Sequence, residues 1–144
     1  MIMSKLSRLF IILVAIALLA AASCGDEPDG KWAKMKWTNV DNMTNQQGVY
    51  IIPQEGGTYT FLCRNYEHPW IELVTIDGIR QDIDNESRRS YNGEWVGVEF
   101  EGNALHLTAK QLPADVEERH IDVTVTAGDI FDIFHFKQVQ APQP

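Results

Sequence analysis

From residue 49 onward the chain alternates apolar and polar positions. "TYTFLC" (58–63) sets Tyr59, Phe61 and Cys63 on one face, and "HIDVTVTAG" (120–128) sets Ile121, Val123 and Val125 against Asp122, Thr124 and Thr126. A two-residue period of this kind marks a half-buried strand. "VYIIP" (49–53), "WIELVTI" (70–76), "EWVGVEF" (94–100), "ALHLTAK" (104–110) and "IFDIFHFKQV" (130–139) add further β-rich runs. Turn-forming residues separate nearly every pair: "PQEGG" at 53–57, "DG" at 77–78, "NG" at 92–93, "EGN" at 101–103, "LPAD" at 112–115 and "AGD" at 127–129. No stretch sustains a 3.6-residue period, so no helix longer than a turn is expected. The pattern predicts an all-β chain, an antiparallel sandwich of two sheets with about seven to eight strands.

The first 23 residues follow a different rule. They carry Lys5 and Arg8, no acid, an apolar block from Leu9 to Leu19 and a run of small residues before Cys24. A cationic start, a short apolar core and a small-residue end form the layout of a secretory signal. An uncleaved membrane anchor is the competing reading, since the apolar run with its alanines approaches the lower limit of a spanning helix. The position of the cysteine decides for cleavage. Ala21, Ala22, Ser23 and Cys24 resemble the bacterial lipobox, although that pattern more often has leucine where Ala21 stands. The resemblance implies cleavage before Cys24, with lipid on its sulfur and on its new amino group. Two or more acyl chains anchor a protein stably where one does not.

"GDEPDG" (25–30) follows, and residues 24–34 read as an acidic tether that buries little apolar surface. Its three acids after the cysteine also resemble the export signal of surface-displayed lipoproteins of the Bacteroidetes, which implies an outer-membrane protein, lipid-anchored and facing the cell exterior. Losing residues 1–23 removes Lys5 and Arg8 and no acid, so the formal charge moves from −8 to −10. A chain this acidic, with no basic patch among interleaved aromatics, excludes DNA and RNA as partners. Residues 35–144 are enough for one domain with one core.

Within that domain, "IIPQEGGTYTFLCRN", "PWIEL" and "NALHLTAKQLPADVEERHIDVTVTAGDIFDIFHFKQ" resemble, in order, a BACON domain, the Bacteroidetes-associated carbohydrate-binding often N-terminal module. The matching positions are Gly56-Gly57, Asn65, Trp70, Asn103, Arg119 and Gln138, across roughly residues 45 to 140. The resemblance implies an immunoglobulin-like sandwich with a sugar-binding role. The polar stretch 77–93 is longer than the usual connection, and "DIFDIF" is unusually apolar. Read physically, the Gly pair permits positive φ or a tight corner. Trp70 is expected in the core, and Arg119 and Gln138 are expected to satisfy backbone groups where strands end.

Little catalytic chemistry is legible. His68, His106, His120 and His135 lack metal-ligand spacing, and "DIDNES" (82–87) has hard oxygen donors but not the glycine of a calcium loop. No serine sits in a nucleophile-elbow context, so neither enzyme activity nor a metal or other cofactor is expected. Cys63 reads as a small buried hydrophobe. Sugar recognition pairs an exposed aromatic face with polar neighbours, and the candidates are Trp95, Tyr91, Tyr66 and Asn92, with Asn65, Arg88 and Arg89 nearby. Trp95 and Val96 alternate, so one of the two should face outward. Trp32 and Trp37 either pack on the domain edge or sit at the membrane interface. The expected function is a non-catalytic surface lipoprotein that binds a carbohydrate or mucin glycan. The alternative is a structural spacer or adhesin subunit that contacts outer-membrane proteins.

Overall fold

The seven long runs become strands in the structure, a computed structural model that describes residues 32–142. The signal segment 1–23, Cys24 with its lipidation, and the tether as far as residue 31 lie outside the described residues. The long strands are β3 (Val49–Ile52), β4 (Gly57–Cys63), β5 (Trp70–Ile76), β8 (Val96–Glu101), β9 (Ala104–Ala109), β10 (Glu118–Thr126) and β11 (Phe131–Val139). Four more strands bring the described total to eleven: β1 (Trp37–Asn39), β2 (Asn45–Gln46), β6 (Ile79–Arg80) and β7 (Ser90–Asn92).

Strand order is β1-β4-β9-β8-β7 in one sheet and β2-β3-β11-β10-β5-β6 in the other. Together they form an all-β, immunoglobulin-like sandwich. The four additional strands occupy all four sheet edges. Each is two or three residues long, too short to show a period and well suited to blunt an edge against further pairing. The expectation of a wholly antiparallel fold needs one correction, because β3 pairs with β11 in parallel. Alternation along a strand reveals its buried face but not its direction.

Asp77-Gly78 and Gln47-Gly48 turn their hairpins with positive φ at both positions, the geometry of a two-residue type I′ turn. Gly56, at φ 78°, has a structural reason to lack a side chain. A Cβ there would lie 2.2 Å from the Ala109 carbonyl oxygen.

The inward positions make one core. Phe61, Leu105, Leu107, Ile121, Val123 and Phe136 are fully or almost fully buried, and Cys63 is buried among them. Phe61, Phe134 and Tyr50 meet at ring separations of 4.8 and 4.9 Å, within the range of favourable edge and tilted pairs. Residues 32–142 thus carry a complete core of their own.

Candidate functional site

Strands β5 and β10 define the two ends of the sandwich. Trp70 pairs with Thr126 at one end and Ile76 with Ile121 at the other, a separation of about 20 Å at strand rise. Beyond Ile76 lies a cleft of about 540 Å³. It is lined by Ile76, Asp77, Ile79 and Gln81 from the β5–β6 hairpin and the residue after it, by residues 91–95, and by Arg119 of β10. A second concavity of about 270 Å³ adjoins it, sharing Glu94, Trp95 and Arg119 and adding Lys110, Gln111 and Pro113. The larger of the two matches the usual size of a small-molecule site.

A buried polar network holds Trp95. The Gln138 side chain, fully buried, accepts a hydrogen bond from Trp95 Nε1 at 2.7 Å. Its Nε2 donates toward the carbonyls of Pro53 (2.9 Å), Lys110 (3.0 Å) and Gln54 (3.2 Å). One amide therefore ties the last strand to the β3–β4 turn, to the residue after β9 and to the indole. Gln138 does satisfy backbone groups at a strand end, as its position suggested. Arg119 does something else: its guanidinium lies over the Trp95 ring, 5.1 Å from the centroid, a cation–π contact.

Tyr91, Asn92 and Trp95 come together in this cleft, and Tyr66 does not. Two expectations about these residues change. Trp95 and Tyr91 are each only 8% exposed, so they are a floor and not an open platform. Trp95 and Val96 are both buried, because β8 begins at Val96 and Trp95 stands before the alternation starts. Tyr91 donates through its hydroxyl to Gln81 Oε1 at 3.2 Å, and burial raises its pKa above the usual 10.0. The surface offered to a ligand comes from Ile79, 68% exposed, with Asn92, Glu94 and Asp77 also exposed. Ile79 and Gln81 are not among the sequence candidates, and Arg119, expected to satisfy backbone groups, instead lines the cleft. The one available signal was the "DG" turn, which places Ile79 just after a hairpin tip.

Tyr66 lies at the opposite end, where its hydroxyl donates to the Ala33 carbonyl. Asn65 is a backbone clamp there, donating to Lys34 O at 2.8 Å and accepting from Lys36 N at 2.9 Å. Arg89 is likewise engaged, by the carbonyls of Pro69 and Gly102, while Arg88 pairs with Glu72 at 2.9 Å. Trp70 is half-buried, not a core residue, and lines a concavity of about 210 Å³ with His68, Glu86, Ser87, Arg88 and Arg89. Trp37 packs on Phe134 and donates Nε1 to Asp132 at 3.0 Å, so it belongs to the domain edge.

Among the described residues no three His, Cys, Asp or Glu side chains converge as metal ligands. In the 82–87 stretch Asp84 accepts hydrogen bonds from Ser87 Oγ at 2.6 Å and from Glu86 N, which hold its carboxyl below the ordinary range. Thr60 Oγ1, His106 and Glu101 form a hydroxyl, imidazole and carboxylate row. It stands on the outer pleat of a sheet, with Glu101 largely in solvent. The cleft therefore offers binding chemistry: mixed donors and acceptors, charges of both signs, and an apolar floor.

A protein from Bacteroides thetaiotaomicron solved by NMR is 33% identical to this chain, covering 82% of this chain and 97% of that one, with a TM-score of 0.67. A structure of titin kinase and its flanking domains is 14% identical over 64% of this chain and 15% of that one, TM-score 0.40. An endo-fucoidan hydrolase of glycoside hydrolase family 107 is 9% identical over 75% of this chain and 15% of that one, TM-score 0.43. The last two likenesses are too distant to bear on function. No family model and no curated protein matches the chain.

Proposed function

This chain belongs to the same family as the Bacteroides thetaiotaomicron protein, and we propose that it is a lipid-anchored outer-membrane protein whose non-catalytic, BACON-like sandwich binds a neutral glycan. The observation that carries this reading is the cleft at the end of the sandwich remote from Ala33 and Lys34. It brings Asn92, Glu94, Asp77 and Arg119 together with exposed Ile79 and the buried aromatics Tyr91 and Trp95. Hydroxyl groups need donors and acceptors together, and sugar C–H faces need apolar surface, so this combination suits a polyhydroxylated ligand. Balanced charge, with Asp77 and Glu94 against Arg119 and Lys110, favours a neutral sugar over an anionic one. The lipobox-like Cys24 and the acidic residues after it support the location.

Glycan-array screening of residues 24–144 tests the reading. Binding should fall at least ten-fold in Arg119→Ala and in Asn92→Ala, since each removes hydrogen bonds made only in the complex. Trp70→Ala should leave it unchanged. Loss in Trp70→Ala alone would move the site to the smaller concavity, and a wild-type domain that binds no glycan would remove the proposal.

A protein-contact role has one observation in its favour. The outer face of the six-stranded sheet carries a groove of about 650 Å³ that includes Val49, Ile51, His120 and Lys137. Ile133 is half-exposed on the same sheet. Co-purification with outer-membrane proteins that is lost in Ile51→Asp would favour that role.

A further inference from the structure

The end of the sandwich opposite the cleft is built differently. Trp32 is 52% exposed and Phe131 57%, two large aromatic surfaces left in water. Phe131 and Lys34 line one concavity of about 280 Å³ with Met35, Ile130 and Asp132. The chain that leads to this corner is pinned: Lys36 N and Lys34 O bind the Asn65 side chain, Ala33 O binds Tyr66, and Arg64 N donates to Lys36 O at 2.7 Å. Lys34, Lys36 and Arg64 are all exposed. Three cations and two aromatics thus occupy one corner of a strongly acidic protein. The Asp132 carboxylate is engaged by Trp37 Nε1. Exposed Glu67 and Asp129 flank the corner, so apolar burial carries more of its affinity than charge does.

From this juxtaposition we infer that the corner formed by Trp32, Phe131, Lys34, Lys36 and Arg64 rests on the lipid bilayer and fixes the orientation of the domain. The inference relies on the proposed acylation of Cys24. Trp32 is eight positions after that cysteine, a reach of at most about 28 Å even when fully extended. An anchored chain therefore keeps this corner within reach of the headgroups. Trp and Phe gain by entering the interface, and lysines and arginine stay at headgroup level while their stems cover apolar surface. The cleft then faces away from the membrane, about 20 Å further out.

The test attaches residues 24–144 through Cys24 to a maleimide lipid, in phosphatidylcholine vesicles containing phosphatidylglycerol and acyl-brominated lipid. Cys63 is buried, which confines coupling to Cys24. Brominated lipid should quench tryptophan emission, and the quenched component should vanish in Trp32→Phe. The docked-to-undocked ratio should fall about ten-fold in Phe131→Ser and about five-fold in each of Lys34→Gln, Lys36→Gln and Arg64→Gln. Circular dichroism confirms that each variant is folded. Absence of quenching in the folded wild type, or quenching that survives Trp32→Phe, overturns the inference. Chemical coupling bypasses acylation in the cell. The mass of Cys24 from producing cells therefore tests the anchor separately, and a failure of either idea can be told from a failure of the other.

Discussion

At the Trp70 end of the sandwich the loops are held by surface hydrogen bonds and leave aromatic side chains in water; at the Ile76 end the aromatics are sunk and the polar groups reach outward. Asn65 ties residues 34–36 by bonds that solvent can compete for. Gln138, itself fully buried, ties four groups from three parts of the chain. A polar group that loses its partner where water cannot replace it costs far more than the same loss at the surface. The cleft end is therefore preorganised, as a binding site with fixed donors requires, and the other end owes its character to what it leaves exposed.

Gln138→Leu should break this comparison most severely. It strands Trp95 Nε1 and the carbonyls of Pro53, Gln54 and Lys110, and urea melts should show a loss of about 4 kcal/mol. The proposed glycan affinity should disappear even in molecules that remain folded. Asn65→Ala, the matching change at the other end, should cost about 1 kcal/mol. Its signature is local: hydrogen exchange of the Lys36 and Arg64 amides should accelerate while that of Val123 and Phe136 does not. Equal global losses from the two substitutions would erase the distinction.

The smallest effect is on pH dependence. The Glu118 carboxyl is held below its ordinary range, first by the hydrogen bond with His120 and then by Lys137. Folding thus favours its ionised form. The stability it contributes is present above the unfolded value of 4.5 and is lost as pH falls through the lower folded value. Tyr91 runs the other way. Its raised pKa means that burial favours the neutral phenol, a contribution intact below pH 10.0 and lost as pH rises through the folded value. Acid unfolding followed in Glu118→Gln, and phenol absorbance followed in Tyr91→Phe, check the two limbs. An unaltered acid limb in Glu118→Gln would remove the first assignment.

The sandwich was legible because burial on one face of each long strand writes a two-residue period into the sequence. The edge strands wrote none: Ile79-Arg80 and Asn45-Gln46 are exposed on both faces and too short to repeat. The site was half legible. Tyr91, Asn92 and Trp95 lie near one another in the chain, so their convergence needed only a turn. Arg119 reaches the same cleft from a distant strand by stacking on Trp95, and no local pattern encodes that contact. Trp95 misled because parity was extended one residue before its strand begins. Trp70 misled because its half-exposed position at the start of β5 looks, in sequence, like the first residue of a buried run.

The position of β11 carries one more implication, for biogenesis. It is the last described strand to leave the ribosome, yet it lies between β3 and β10 in the middle of its sheet. Until residues 131–139 arrive, β2-β3 and β10-β5-β6 have nothing to join them, and Trp95 lacks its Gln138 partner. Contacts this remote in sequence close slowly. The two halves of that sheet therefore stay open until residues 131–139 bridge them, so the domain locks in one late step.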